Sequence, residues 1–167
     1  MSFNQQGQRQ QAPRRQSTQR QLQSAPPVGF AKIHVDAGVL DLSRGSAAAI
    51  ARDANGTYLG SSSLVIDGLY DPAVLEAMAC REGVALAQDL GIDRFVISCD
   101  SKQVVADILC GSRGSIATIA EEIIQRMPMQ HCKIIFEGRE TNTEAHNIAR
   151  FFSFSFKRAP PVASRAL

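Results

Sequence analysis

The sequence lacks the motifs that bind nucleotide cofactors. No Gly-x-Gly-x-x-Gly follows the first predicted strand and no Walker-type loop occurs in the 167 residues, so nothing supplies the backbone cradle that cofactor phosphates need. No apolar run is long enough to span a membrane, and no apolar segment near the start resembles a signal peptide. We therefore expect an intracellular protein, nuclear or cytoplasmic, with no nucleotide cofactor and no membrane partner.

Cysteine is present, but not in a pattern that binds metal or forms a redox pair. None of the four cysteines belongs to a Cys-x-x-Cys pair, and three of them lie in apolar stretches: Cys80, Cys99 and Cys132. Such cysteines are more typical of small core residues in a reducing compartment than of disulfides or zinc ligands.

Acidic residues are absent from residues 1–27, which hold four arginines, and residues 1–25 hold nine glutamines. Large apolar side chains are too few there to offset the ordering entropy, so we predict a disordered basic tail over 1–27. We favour a plain solvated tail over one that attracts nucleic-acid phosphates. The absence of acidic residues would also suit an organelle transit peptide, but the segment lacks the amphipathic pattern of one. From residue 28 onward 14 basic side chains stand against 16 acidic ones. We assign one domain to 28–156 and a short disordered end to 157–167.

Hydrophobic periodicity and turn residues predict a mixed α/β domain. Asn55-Gly56 indicates a tight hairpin, and Asp71-Pro72 indicates a helix start with Asp as its cap. The predicted elements are, in chain order, three strands, a helix, a strand, two helices, a strand and a helix. This order implies a mixed sheet with helices packed on it. The predicted strands are 30–36, 45–52, 58–66, 94–99 and 131–137. The predicted helices run from 72 to about 90, from Ser101 to Leu109, from a cap at Ser115 onward, and after a loop at 138–141.

Three carboxylates lie in apolar surroundings: Asp36 after the first strand, Glu76 in the first helix and Asp100 after the fourth strand. Each has a simpler interpretation: Asp36 as a strand-end turn residue, Asp100 as a helix N-cap, and Glu76 as an acid that complements the helix dipole. Charged groups are seldom placed in apolar segments unless they are paired or bound to metal. Taken with the order of elements, the three predict one buried acidic site that needs a cation.

Five motifs follow one another in the chain: KIHVD at 32–36, RDANG at 52–56, LEAMACREG at 75–83, SCDSKQVV at 98–105 and GRETNTEAHNIAR at 138–150. Their content and order resemble the type 1 ribonuclease H-like domains of plant genomes and retroelements. The resemblance covers about residues 30–156. It implies a ribonuclease H-like fold, with three antiparallel strands, then two parallel ones, flanked by helices.

The resemblance also implies an activity, a metal-dependent endoribonuclease that cleaves the RNA strand of RNA–DNA hybrids. Two Mg²⁺ or Mn²⁺ ions would stabilise the attacking water and the leaving oxygen. Asp36 would bridge them, and Glu76 and Asp100 would each hold one or the other. His146 stands at the family's fourth acidic position, as in many members of the plant subgroup, where it would bind metal or shuttle a proton. The oligomeric state is left open.

Other residues of the last motif are expected to meet the substrate. Asn142, His146 and Arg150 fall on one helical stripe that is expected to face it. Arg139 either contacts a phosphate or is simply solvated. Three departures from the family pattern favour an alternative: His146 at the fourth acidic position, Ala37-Gly38 in place of Gly-Ala, and a loop before the last helix without histidine. In that alternative the domain is a catalytically weak or inactive retroelement-derived one that binds nucleic acid or acts as an interaction scaffold.

Overall fold

One mixed sheet of five strands organises the chain. Its strands are β1 (Ala31–Asp41), β2 (Arg44–Arg52), β3 (Tyr58–Asp67), β4 (Phe95–Cys99) and β5 (Cys132–Phe136). They lie in the spatial order β3-β2-β1-β4-β5. The first three form an antiparallel meander, whereas β4 pairs in parallel with both β1 and β5. The predicted α/β sheet of three antiparallel strands followed by two parallel ones is therefore confirmed.

In the part of the chain that the structure describes, four α-helices and one short 3₁₀ helix connect and cover the strands. They are α1 (Pro72–Asp89), α2 (Lys102–Cys110), α3 (Ala117–Arg126), the 3₁₀ helix (Arg139–Thr141) and α4 (Thr143–Phe156). The structure, a computed structural model, describes residues 25–111, 113–128 and 130–156, and for 151–156 the backbone only. The predicted disordered segments thus lie outside the described residues, except for residues 25–27. None of the helices described is both long and apolar enough to cross a bilayer.

One of the two predicted helix caps is confirmed. The Asp71 carboxylate accepts hydrogen bonds from two backbone N–H groups at the start of α1. Ser101, expected as the first residue of α2, is instead its cap, because its hydroxyl accepts a hydrogen bond from the backbone N–H of Val104. The predicted cap Ser115 is wrong, because α3 begins after Ile116, whose side chain makes no capping bond. A backbone turn closed on the carbonyl of Gly114 leads into α3 instead.

β1 divides its side chains between two environments, because successive residues of a strand point to opposite faces of the sheet. Ile33 and Val35 are fully buried on the face that α1 covers. Lys32, His34 and Asp36 are buried on the other face, which α4 covers. The predicted first strand, 30–36, is too short at its C-terminal end, since pairing with β2 continues to Asp41 and leaves Asp36 in mid-strand.

Gly83 brings α1 close to the sheet. A Cβ atom at this position would lie 2.8 Å from Val35 Cγ1, which is shorter than any ordinary van der Waals contact. Glu76 is seven residues earlier in α1, almost two full turns, so it lies on the same face of the helix. The close approach at Gly83 therefore also sets how near Glu76 comes to the sheet.

Candidate acidic active site

Three secondary-structure elements bring the predicted acids to one edge of the sheet. β1 and β4 run parallel with His34 opposite Ser98, so Asp36, two residues further along β1, is level with Asp100, which follows β4. Glu76 reaches the same edge from α1. The structure excludes the simpler interpretation of each acid. Asp36 is not a turn residue at a strand end, because it lies inside β1, and Asp100 is not the cap of α2, because Ser101 is. Glu76 does not complement the helix dipole from the first turn of α1, because that turn contains no acid.

Glu76 and Asp100 form a compact group with a residue that the sequence analysis assigned to the core. One donor atom from each of Glu76, Cys99 and Asp100 lies within 4.8 Å of the others. The Cys99 thiol is 3.9 Å from Glu76 Oε2. The predicted core position of Cys99 is confirmed, since the residue is fully buried, but its thiol also faces the acids, which its place directly before Asp100 at the strand end could have indicated. Among the described residues, neither Asp36 nor His146 belongs to this group.

The electrostatics of the site favour a bound cation. Burial and, to a smaller extent, the neighbours Cys99, Asp100 and Asp36 together raise the pKa of Glu76 to about 9. Burial also raises the pKa of Asp36, although the hydrogen bond with His146 opposes this. Asp100 raises the pKa of both of the other acids, so the three carboxyl groups are near enough to repel one another. A divalent cation would remove that repulsion, and carboxylate oxygens suit Mg²⁺ and Mn²⁺.

His146 contacts Asp36 directly. Its Nδ1 is 3.0 Å from Asp36 Oδ2, with 48% of the His146 side chain exposed and only 5% of the Asp36 side chain. The imidazole therefore covers Asp36 on the solvent side and fixes the orientation of its carboxylate. Because Nδ1 is engaged, Nε2 is the atom that would take part in metal binding or proton transfer. Its role as a fourth metal ligand stays a prediction.

Arg139 lies over the site. Its Nε is 2.8 Å from Asp100 Oδ2, and the side-chain exposures are 86% for Arg139 and 4% for Asp100. The hydrogen bond to Asp100 raises the pKa of Arg139. The predicted contact with a phosphate is untested, and in this structure the arginine neutralises one of the acids.

The prediction that Asn142 faces the substrate is wrong for this structure. Asn142 is 2% exposed, and its Nδ2 donates a hydrogen bond of 2.7 Å to the carbonyl of Val35. The residue precedes the first residue of α4, so the regular helical stripe assumed from the sequence does not include it. His146 and Arg150 are exposed. Asn142 instead ties the start of α4 to the backbone next to Asp36.

A buried ion pair that the sequence analysis missed holds the chain leading to Arg139. Lys32 Nζ lies 2.6 Å from Glu137 Oε1, with side-chain exposures of 5% and 12%. Ser98 donates a hydrogen bond of 2.8 Å to the other carboxylate oxygen of Glu137. Glu137 is thus attached to β1 and β4 just before the 3₁₀ helix begins. The partners are 105 residues apart in sequence, and no local pattern indicates such a pair.

Comparison with known proteins agrees with this architecture. A family model described as "Reverse transcriptase-like" matches residues 34–152. Among solved structures, ribonuclease H1 LC11 from compost is 16% identical over 78% of this chain and 99% of that one, with a TM-score of 0.69. The N-terminal ribonuclease H domain of a Mycobacterium tuberculosis protein is 20% identical over 77% and 96%, with a TM-score of 0.63. LC11 was also solved in complex with an RNA/DNA hybrid (17% identity over 72% and 94%, TM-score 0.63). No curated protein sequence matches the chain.

Proposed function

Because the chain belongs to the reverse transcriptase-like family and has the ribonuclease H fold, we propose that it is a metal-dependent endoribonuclease acting on RNA–DNA hybrids. The convergence of Asp36, Glu76 and Asp100 at one edge of the sheet carries this proposal. One structure similar to this chain was solved with an RNA/DNA hybrid bound. Cleavage of the RNA strand is the activity that this fold and these three acids support best.

The residues of the site divide the work of hydrolysis among them. Mg²⁺ or Mn²⁺, when bound, supplies charge stabilisation for the attacking water and for the leaving oxygen. Asp36, Glu76 and Asp100 would hold the cations. Because burial is the main cause that raises the pKa of Glu76 to about 9, this carboxyl group is protonated at neutral pH without metal, and it would release its proton to solvent on holding a cation. His146 orients Asp36 and presents its exposed ring to solvent, where it can accept or donate a proton.

A second candidate function is an interaction domain without catalysis. Residues 25–156 contain 16 acidic and 11 basic side chains. Six of the basic ones form ion pairs with acids: Lys32, Arg44, Arg52, Arg81, Arg126 and Arg139. Little positive charge is left on the domain for nucleic-acid phosphates, whose neutralisation contributes much of the affinity of such complexes.

The two functions are separated by a cleavage assay on four duplexes of one sequence: the hybrid labelled on RNA, the hybrid labelled on DNA, double-stranded RNA and double-stranded DNA. Each is incubated with the full chain in Mg²⁺, in Mn²⁺ and in EDTA. We expect cleavage of the RNA strand of the hybrid alone, only with metal, and at least a hundredfold less with Asp36→Asn. No cleavage by a parent protein with a folded circular dichroism spectrum would leave the interaction domain.

A further inference from the structure

The contact between Arg139 and Asp100 places a positive charge where a metal-binding carboxylate is otherwise available. A single hydrogen bond of 2.8 Å from Nε joins the two, while 86% of the Arg139 side chain remains exposed. Asp100 itself is almost inaccessible, with 4% of its side chain exposed. The guanidinium therefore covers Asp100 from the solvent side, which is the direction from which a cation would arrive.

We propose that Arg139 is an exchangeable counter-ion: it occupies Asp100 in the metal-free protein, leaves when a divalent cation binds there, and then contacts a phosphate of the nucleic acid. The second half of this proposal rests on the proposed function, whereas the first concerns the protein and the metal alone. Arginine stays protonated under all ordinary conditions, so the exchange is a movement of the side chain and involves no proton. Arginine also suits phosphate, because its planar group donates several hydrogen bonds.

The structure around Arg139 allows the side chain to move without the backbone. The 3₁₀ helix that carries it is closed by a 2.8 Å hydrogen bond from the Thr141 hydroxyl to the Gly138 carbonyl. Glu137 before it and Asn142 after it are tied to the sheet by the Lys32 ion pair and the Val35 carbonyl. The anchor points of the segment are thus buried, and the guanidinium is at the surface. A released guanidinium would remain beside the site.

The charge of Arg139 acts on the whole acidic site. It lowers the pKa of Glu76 and of Asp36, besides its direct contact with Asp100. It therefore relieves part of the repulsion that a metal ion would relieve more fully. Removing this charge should make the metal-free site more repulsive and should increase its affinity for a divalent cation.

The first test measures Mn²⁺ binding to the full chain without nucleic acid, by the paramagnetic resonance signal of free Mn²⁺. Arg139→Gln is compared with the parent, with Arg139→Lys and with Arg113→Gln. Arg113 is an exposed basic residue outside the site, so its variant controls for the loss of one charge. We expect Arg139→Gln to bind Mn²⁺ about three- to tenfold more tightly, and the other two to stay within twofold of the parent. Unchanged or weaker binding by Arg139→Gln, or an equal gain in Arg113→Gln, would overturn the proposal.

The second test measures the affinity of the same proteins for a hybrid whose RNA strand carries 2′-O-methyl groups, so that it is not cleaved. Arg139→Gln should weaken binding three- to tenfold in Mn²⁺ and should change it less than twofold in EDTA. An equal loss in both conditions would overturn the exchange. The proposed nuclease function can fail without the counter-ion role. If the parent cleaves with neither metal but Arg139→Gln still binds Mn²⁺ more tightly, the counter-ion role is supported and the nuclease function is refuted.

Discussion

Glu76→Gln should make the metal-free protein more stable at neutral pH, even though it removes a residue of the proposed active site. Glu76 is held by α1 against Cys99 and Asp100, where burial raises its pKa to about 9. Glutamine has nearly the same shape but no charge to bury. The substitution therefore removes the cost of keeping this carboxyl protonated in the folded state.

The magnitude follows from linkage between protonation and folding. The ordinary pKa of Glu76 is 4.5 and the folded value is about 9, so folding favours the protonated form. The contribution of the protonated Glu76 side chain to the free energy of unfolding is fully present below pH 4.5 and is lost as the pH rises toward 9. Each pH unit in this window costs about 1.4 kcal/mol. Between pH 5 and pH 7, the parent should lose about 3 kcal/mol of unfolding free energy that Glu76→Gln retains.

The assay is urea denaturation in EDTA at pH 5 and at pH 7, followed by circular dichroism because the chain has no tryptophan. The quantity to compare is the difference in unfolding free energy between Glu76→Gln and the parent, at pH 5 and at pH 7. Loss of the contact with Cys99 contributes equally at both pH values and therefore does not affect how this difference changes with pH. Saturating Mn²⁺ should stabilise the parent and reverse the order, because a ligand that binds the native state stabilises it. A difference that stays the same from pH 5 to pH 7 would refute the reasoning.

Three further predictions test other parts of the site. Gly83→Ala should destabilise the protein by about 1–2 kcal/mol in urea denaturation, because its Cβ would lie 2.8 Å from Val35 Cγ1. The destabilisation should disappear when Val35 is also replaced by alanine. If it persists in that double variant, the close-packing argument is contradicted. His146→Asp should bind Mg²⁺ about tenfold more tightly by calorimetry, because it adds a negative charge beside Asp36, and weaker binding would contradict this account of the site. Replacing the four tail arginines (Arg9, Arg14, Arg15 and Arg20) with glutamine should leave the salt slope of hybrid binding unchanged, as expected for a plain solvated tail; a slope reduced by about 3 would show instead that the tail contacts phosphates.

The order of the elements and the helix cap Asp71 could be predicted because local chemistry determines them. Alternation of apolar residues, the Asn55-Gly56 turn and the Asp71-Pro72 cap act within a few residues of one another, and each is visible in the sequence. A shared site for Asp36 and Asp100 could also be predicted, because carboxylates in apolar segments are seldom left without a partner or a cation. The extension of β1 to Asp41 could not, because it depends on pairing with β2.

The contacts that shape the site were harder to predict, because they join distant parts of the chain. Asn142 looked like a substrate-facing residue, but its amide reaches the Val35 carbonyl 107 residues away. Arg139 looked solvated or free to bind phosphate, but it meets Asp100. Cys99 is the core residue that its apolar neighbours predict, but the closeness of its thiol to Glu76 and Asp100 could not be predicted. In each case residue type and position were visible in the sequence, whereas the partner was set by the tertiary fold.

The most direct test of the central claim is the rate of RNA-strand cleavage in an RNA–DNA hybrid as Mg²⁺ or Mn²⁺ is titrated, for the parent and for Asp100→Asn. If Asp36, Glu76 and Asp100 form one metal-dependent site, the parent should cleave with a saturable dependence on metal. Asp100→Asn should then need a higher metal concentration and should cleave at least a hundredfold more slowly. Cleavage by Asp100→Asn at the parental rate, or cleavage that persists in EDTA, would contradict the account.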